Sequence, residues 1–180
     1  MSPLSGSGPV LGVDPGVSET GWALVEVRNN ETRLLECGLV RTSPRVALPE
    51  RLRQIHAALS DIVARHQPST VAIEEMFFLK AAHTIRGTLQ ARGVVLLAAA
   101  QAGRPVCEYN PRTVKMTLTG SGQADKSQMQ GAVKASLRLN EALRPDDVAD
   151  AAAIALCHLR TSRFQRLKVL DSWRRKAARG

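Results

Sequence analysis

The segment Val10-Leu11-Gly12-Val13-Asp14-Pro15-Gly16 is a short apolar run that ends in a Pro-Gly turn. This pattern predicts a β-strand followed by a tight turn. A second β-like run covers Gly21 to Val27, and a third covers Thr32 to Arg41. Consecutive short strands joined by short turns predict an antiparallel meander at the start of a sheet. Asp14 therefore stands where the first strand of this sheet ends.

Helices and strands alternate along the rest of the chain. The predicted helices have apolar residues at the spacing of one helical face, and the predicted strands are short apolar runs. In chain order the segments are helix 49–66, strand 70–73, helix 81–102, strand 105–109, helix 125–139 and helix 146–159. This order predicts an α/β fold, a mixed five-stranded sheet with helices on both faces.

Length and composition set the domain organisation. A chain of 180 residues with 44% hydrophobic content predicts one well-buried core and a single domain. Residues 1–8, rich in Ser, Gly and Pro, are expected to be a disordered lead-in, residues 9–160 the folded domain and residues 161–180 a basic tail. Because no apolar run is long enough to cross a membrane, we expect a soluble, cytoplasmic protein with no membrane partner.

Charge and cysteines restrict the function less strongly. The net charge is +9, and the part after Leu159 holds eight Lys and Arg residues against Asp171 alone. This tail could bind phosphates or could simply be solubilising and disordered, and the sequence leaves both interpretations open. The three cysteines are far apart and form no CxxC pair, which argues against a disulfide framework or a thiolate zinc site.

Four carboxylates occupy positions that are typical of catalytic or metal-binding residues. Asp14 and Glu74 each follow an apolar strand, and Asp147 and Asp150 lie three apart on one face of the last helix. Such a cluster without basic partners close in sequence predicts a divalent cation, and oxygen ligands favour Mg²⁺ or Mn²⁺. Two such ions are suited to in-line hydrolysis of a phosphodiester.

Each carboxylate also has a structural interpretation. Asp14 could be no more than a turn-forming residue before Pro15, and Glu74 could pair with a Lys or Arg elsewhere in the chain. Asp146 and Asp147 could be first-turn residues favoured by the helix dipole. Asp150 lies one turn further in, where the dipole argument weakens, so the set together favours a site.

These residues also form motifs that resemble a known family, the RuvC Holliday-junction resolvases of bacteria within the ribonuclease H-like superfamily. The resemblance spans nearly the whole chain from Pro9. It rests on four segments: Leu11 to Gly16 with Thr20-Gly21, Ala72-Ile73-Glu74 with Glu75-Met76-Phe77, Gln90-Ala91-Arg92-Gly93-Val94, and Asp147-Val148-Ala149-Asp150-Ala151-Ala152. Ala124-Asp125-Lys126-Ser127-Gln128 adds a fifth.

The resemblance implies a nuclease that acts in recombination and repair. It implies a homodimer that binds a four-way DNA junction and nicks two symmetry-related strands, leaving 5′-phosphate and 3′-hydroxyl ends. It also implies a RuvA–RuvB branch-migration complex as partner and two Mg²⁺ or Mn²⁺ ions per site. Asp14 would bridge both ions, Glu74 would complete one and Asp150 the other. Asp147 is the fourth ligand, and the neighbouring Asp146 could share its role.

Further positions match DNA-contacting residues of the family. Phe77 falls where an aromatic side chain stacks on a base near the junction, although Phe78 could take that role instead. Lys115 and Lys126 match basic positions on the DNA side, and ordinary solvated lysines are the alternative. Arg86, Arg112 and, more weakly, His83 are phosphate candidates. The apolar helix 81–102 resembles the family's dimer helix or is simply core.

Three other functions deserve comparison. A nuclease of the same superfold could cut an RNA–DNA hybrid, and a cleavage assay with both substrates would separate the two. An ATP-binding domain of the actin and sugar-kinase type also opens on an acidic turn, but it needs two lobes and a second phosphate loop that this chain lacks. A junction binder without catalysis is disfavoured by the full carboxylate set.

Overall fold

The protein has five strands and five helices within the residues that the structure describes. This structure is a computed structural model, and it describes residues 8–75 and 82–177, with side chains at 8–75 and 86–162. In chain order the elements are β1 Val10–Asp14, β2 Glu19–Arg28, β3 Glu31–Arg41, α1 Leu48–His66, β4 Thr70–Glu74, α2 Ala82–Gln101, β5 Val106–Tyr109, α3 Pro111–Thr119, α4 Lys126–Leu137 and α5 Asp146–Ala177.

The strands form one mixed sheet in the order β3-β2-β1-β4-β5. The pairs β1–β2 and β2–β3 are antiparallel, whereas β1–β4 and β4–β5 are parallel. The predicted meander of three leading strands and the predicted five-stranded sheet are both confirmed. The parallel pairing of β1 with β4 brings the carboxyl ends of these two central strands to the same edge.

Two apolar cores lie on opposite faces of the sheet. Leu11 and Val13 of β1 pack with α1 and α2, whereas Val10 packs on the side of α3, α4 and α5. Successive side chains of a strand point to opposite faces, so this alternation explains both layers. Helices on both faces were predicted, and this prediction is confirmed.

Two helices differ from the prediction. Helix α3 was not predicted, although Asn110 caps it by accepting a hydrogen bond from the Arg112 backbone N–H and Pro111 occupies its first turn. The predicted end of α5 at about Leu159 is wrong, because the helix continues to Ala177. No Gly or Pro occurs between residues 146 and 177, so no helix-breaking residue ends α5 at the predicted position.

The start of α4 agrees with the prediction. The Asp125 side chain accepts a hydrogen bond from the Gln128 backbone N–H, and the Gln128 side chain accepts one from the Asp125 backbone N–H. The expected lead-in falls almost wholly on residues 1–7, which lie outside the described residues. Among the described residues, no helix is long and apolar enough to cross a membrane.

Candidate active site

Two glycines set the distance between α5 and the sheet. A Cβ atom at Gly12 would lie 2.0 Å from the Ala151 carbonyl oxygen, and one at Gly21 would lie 2.1 Å from the Asp147 carbonyl oxygen. No real side chain tolerates such distances, so only glycine allows α5 to cross β1 and β2 this closely. The first turns of α5 therefore lie directly over the end of β1.

Asp14 and Glu74 come from adjacent parallel strands on the face that α5 covers. Val13 pairs with Ile73, so Asp14 and Glu74 follow at the next positions of β1 and β4. Asp14 lies two residues after Gly12, and Glu74 two residues after Ala72, which belongs to the core beneath α5. The alternation of strand side chains therefore directs both carboxylates toward α5.

The electrostatics of Asp14 confirm that these carboxylates lie close together. Burial, and then the carboxylates of Asp150, Asp147 and Glu74, raise the pKa of Asp14 to about 7. The carboxyl groups of Asp14 and Asp147 are also within hydrogen-bonding distance. The pKa values of Asp147 and Asp150 are raised as well, in both cases chiefly by burial of the carboxyl group. The four predicted residues thus share one acidic edge.

Buried hydrogen bonds hold the two strand ends in place. The Thr20 hydroxyl, which is fully buried, donates to the Gly16 carbonyl oxygen at 2.6 Å and closes the turn after Asp14. Arg92, 9% exposed on α2, donates to the Glu74 carbonyl oxygen and pairs with Glu108 of β5. These contacts give a physical role to the Thr20-Gly21 and Ala91-Arg92 motifs.

The donor set fits a hard divalent cation. All four groups are carboxylates, and their mutual repulsion is what a bound cation would relieve. Within the described part of the chain, no three His, Cys, Asp or Glu side chains surround a common point as a preformed metal site. The four residues are therefore of the right chemical type for such an ion and lie close enough to one another to interact.

Asp146 has different surroundings from Asp147. Its carboxylate lies 2.6 Å from the Lys126 Nζ atom and 3.1 Å from an Arg144 guanidinium nitrogen. The hydrogen bond and charge of Lys126 lower the pKa of Asp146, whereas the pKa of Asp147 is raised. Adjacent aspartates therefore face opposite electrostatic environments, which does not support a role for Asp146 in common with Asp147.

The predicted basic residues lie near this edge to different degrees. Lys126 and Lys115 both act electrostatically on Asp150 and oppose the rise of its pKa. Arg112 and Lys115 line one open groove of about 410 Å³ together with Asn110, Pro111, Gly122 and Gln123. Arg86 is exposed at the start of α2, next to Gly87, where a Cβ atom would lie 3.5 Å from Val17 in the turn after Asp14.

Sequence reasoning missed Glu19, the first residue of β2. Glu19 lies two residues before Gly21 on the face beneath α5, and its carboxyl group is within hydrogen-bonding distance of that of Asp147. Its other neighbour is Arg41, whose Nε atom lies 3.0 Å away on the paired position of β3. Because Glu19 and Gly21 are two residues apart on one strand, the sequence could have indicated that their side-chain positions share one face of the sheet. The sequence carries no signal that α5 crosses that face.

The aromatic and histidine predictions cannot be placed. Phe77 and Phe78 lie outside the described residues, and so does the side chain of His83. The assignment of Phe77 to base stacking therefore stays a prediction.

The sheet order, the helices on both faces and the acidic edge together define a ribonuclease H-like nuclease fold. Residues 10–158 match the family described as crossover junction endodeoxyribonuclease RuvC, and the chain belongs to this family. It is 49% identical over 149 residues to the protein of this name from Pelotomaculum thermopropionicum, covering 83% of this chain and 91% of the relative. The protein of this name from Chloroflexus aurantiacus is 49% identical over 152 residues, covering 84% and 93%.

Solved structures agree with this assignment. Thermus thermophilus RuvC in complex with a Holliday junction substrate superimposes with a TM-score of 0.83 at 40% identity, covering 88% of this chain and 96% of the other. The yeast mitochondrial Holliday junction resolvase Ydc2 shares the fold, with a TM-score of 0.64 at 14% identity and coverage of 89% and 83%. Membership of the family makes the chain a DNA endonuclease and implies a divalent metal ion as cofactor.

Proposed function

We propose that this protein resolves four-way DNA junctions by metal-dependent nicking of two symmetry-related strands, leaving 5′-phosphate and 3′-hydroxyl ends. The observation that carries the proposal is the acidic edge, where β1, β4 and α5 each contribute carboxylates and the pKa of Asp14 rises to about 7. Retaining such repulsion in a folded protein is costly unless a cation relieves it, so the cluster is better explained by catalysis than by stability.

The four carboxylates have distinct positions in this proposal. Asp14, which interacts with the other three, would contact both of two Mg²⁺ or Mn²⁺ ions, while Glu74 would complete one site and Asp150 the other. Asp147 would support the set from the first turn of α5. Bound ions would lower the pKa of the attacking water and neutralise charge on the leaving oxygen. The chain itself orients the carboxylates through the two glycine contacts and the Arg92 hydrogen bond.

Basic residues would hold the DNA beside this edge. Lys126 and Lys115 lie close enough to Asp150 to affect its pKa, so both could contact phosphates next to the scissile bond. Arg112 shares the open groove with Lys115 and would extend the same contact surface. Arg86 would contact a phosphate from the far side of the turn after Asp14, and Phe77 would stack on a base at the crossover.

A second copy of the chain would cover α2. Leu89 and Leu97 are 38% and 51% exposed, and Gly93 between them has nothing within 4 Å of its Cβ position. Because residues four apart share one helix face, these three form an exposed apolar stripe with an open centre. A C₂ dimer through this stripe would present two equivalent active sites to a two-fold junction.

Residues 9–160 would form the nuclease domain, preceded by a lead-in and followed by the basic tail of residues 161–180. The family match over residues 10–158 supports these limits. A RuvA–RuvB branch-migration complex would be the partner that delivers the junction.

The direct test is cleavage of a synthetic mobile four-way junction by the purified chain. We expect paired symmetric nicks with Mg²⁺ or Mn²⁺ and none with EDTA. Glu74→Gln or Asp150→Asn should abolish cleavage while junction affinity stays within about twofold, because these groups hold metal rather than phosphate. Asp61→Asn, an exposed aspartate of α1, is the matched control.

Three outcomes would contradict the proposal: cleavage in EDTA, full activity of Glu74→Gln, or preference for an RNA–DNA hybrid over the junction.

The dimer is tested separately by sedimentation. Leu97→Glu should shift the chain to monomer and abolish paired nicking, whereas Leu48→Glu, an exposed leucine at the start of α1, should remain a dimer.

A further inference from the structure

Asp146 is held by three side chains at the point where α4 meets α5. One carboxylate oxygen, Oδ1, accepts hydrogen bonds from the Gln130 amide at 2.7 Å and from the Arg144 guanidinium at 3.1 Å. The other oxygen, Oδ2, lies 2.6 Å from the Lys126 Nζ atom. Both oxygens of Asp146 are thus already engaged by donors.

The α4 side of this contact is locally well defined. Lys126 and Gln130 are four residues apart and therefore share one face of α4. The capping box of Asp125 and Gln128 fixes the first turn of that helix, so the Lys126 backbone is rigid. The Lys126 side chain itself is 64% exposed, and a solvated lysine without a partner populates many rotamers. Asp146 is the contact that selects one of them.

We propose that Asp146 is a positioning residue, which holds the Lys126 ammonium beside the acidic edge so that it meets a DNA phosphate there. The inference rests on the proposed junction cleavage. An ammonium group has three donors, so Lys126 keeps donors for phosphate oxygens while one contacts Asp146. Gln130 and Arg144 fix the carboxylate from the opposite side, so Asp146 does not have to leave its place when DNA arrives.

The decisive variant is Asp146→Asn. Its remaining oxygen can still accept from Gln130 and Arg144, but an amide nitrogen in place of Oδ2 cannot accept from Lys126. We expect single-turnover cleavage at saturating enzyme to fall roughly two- to fivefold, the range for loss of an exposed ion pair. Junction affinity in EDTA should be unchanged or tighter, because a negative charge near the DNA is lost. Asp61→Asn, which removes the charge of an exposed aspartate of α1 outside this contact, should cleave like the wild type.

A double-variant cycle separates positioning from other roles. In a Lys126→Met background, Asp146→Asn should cause no further loss, since there is no lysine left to position. A full additional loss in this background would overturn the proposal. So would a rate restored by higher Mg²⁺, which would indicate a metal ligand, or a fall in both affinity and urea midpoint, which would indicate a merely structural clamp.

A measurement without catalysis keeps the inference separable from the proposed function. The side-chain ¹⁵N resonance of Lys126, assigned with Lys126→Met, should shift in Asp146→Asn and stay unchanged in Asp61→Asn. If the wild type cuts no junction, the proposed function fails whatever this resonance does. If the resonance does not respond to Asp146→Asn, the positioning role fails even when the wild type cuts.

Discussion

Replacing Asp14 with Asn should stabilise the metal-free protein while abolishing its cleavage of DNA. Burial and three neighbouring carboxylates raise the pKa of Asp14 from its ordinary value of 3.8 to about 7. A difference of this size corresponds to about 4 kcal/mol of unfavourable free energy once the group is ionised in the folded state. Asn keeps the shape of the side chain and removes that charge.

The stability gained by Asp14→Asn should depend on pH, because the pKa of Asp14 is raised in the folded state. The folded state retains the Asp14 proton to higher pH than the unfolded state, so wild-type stability falls as the pH rises from about 4 to about 7. Above pH 7 both states are ionised and the full cost is present. The advantage of Asp14→Asn should therefore reach about 4 kcal/mol at pH 8 and shrink below about 2 kcal/mol at pH 5.

Urea unfolding in EDTA at the two pH values measures this difference, with Asp61→Asn on the exposed side of α1 as the control. Adding Mg²⁺ should stabilise the wild type more than Asp14→Asn, because a ligand that binds only the folded state adds to its stability. Equal stability of wild type and Asp14→Asn at pH 8, or a gain of the same size at pH 5, would refute the reasoning about the acidic edge.

Three further variants probe the scaffold and the DNA surface. Gly21→Ala places a methyl group against the Asp147 carbonyl oxygen and should cost about 1–3 kcal/mol in urea unfolding and remove cleavage, whereas Gly131→Ala on open α4 surface should be neutral or stabilising. Lys115→Ala should reduce the salt dependence of junction binding by about one unit of slope, and an unchanged slope would mark it as a solvated surface residue. Phe77→Ala should lose about 1–3 kcal/mol of base stacking, seen as slower cleavage that a pre-unpaired junction restores; equal rates on both junctions would exclude stacking.

The sheet and the four carboxylates were predictable because their signals are local. Asp14 and Glu74 end apolar strands, and Asp147 and Asp150 share a helix face, so each position could be interpreted within a window of a few residues. Helix α3 carried a local signal too, since Asn110-Pro111 is an N-cap followed by proline. It was missed because a helix of nine residues is too short to show clearly the repeated apolar spacing by which helices are predicted.

The remaining features depend on contacts between distant segments. Glu19 approaches Asp147 only because α5 crosses β2 at Gly21, and Arg41 reaches Glu19 only through the register of β2 with β3. Likewise, Lys126 meets Asp146 through the packing of α4 on α5, twenty residues along the chain. The spacing of residues along the sequence does not indicate which distant segments come into contact. Partners of this kind can therefore be identified only from the three-dimensional structure.

The two close glycine contacts have a consequence for protein engineering. A designer who grafted the four carboxylates onto another five-stranded sheet would reproduce the ligands without their spacing, because Gly12 and Gly21 determine how near α5 comes to β1. Widening that gap by a single methyl group would separate the half of the site on the strands from the half on the helix. The minimal transplantable unit is therefore the carboxylates together with the strands that carry them, the two glycines and the overlying helix.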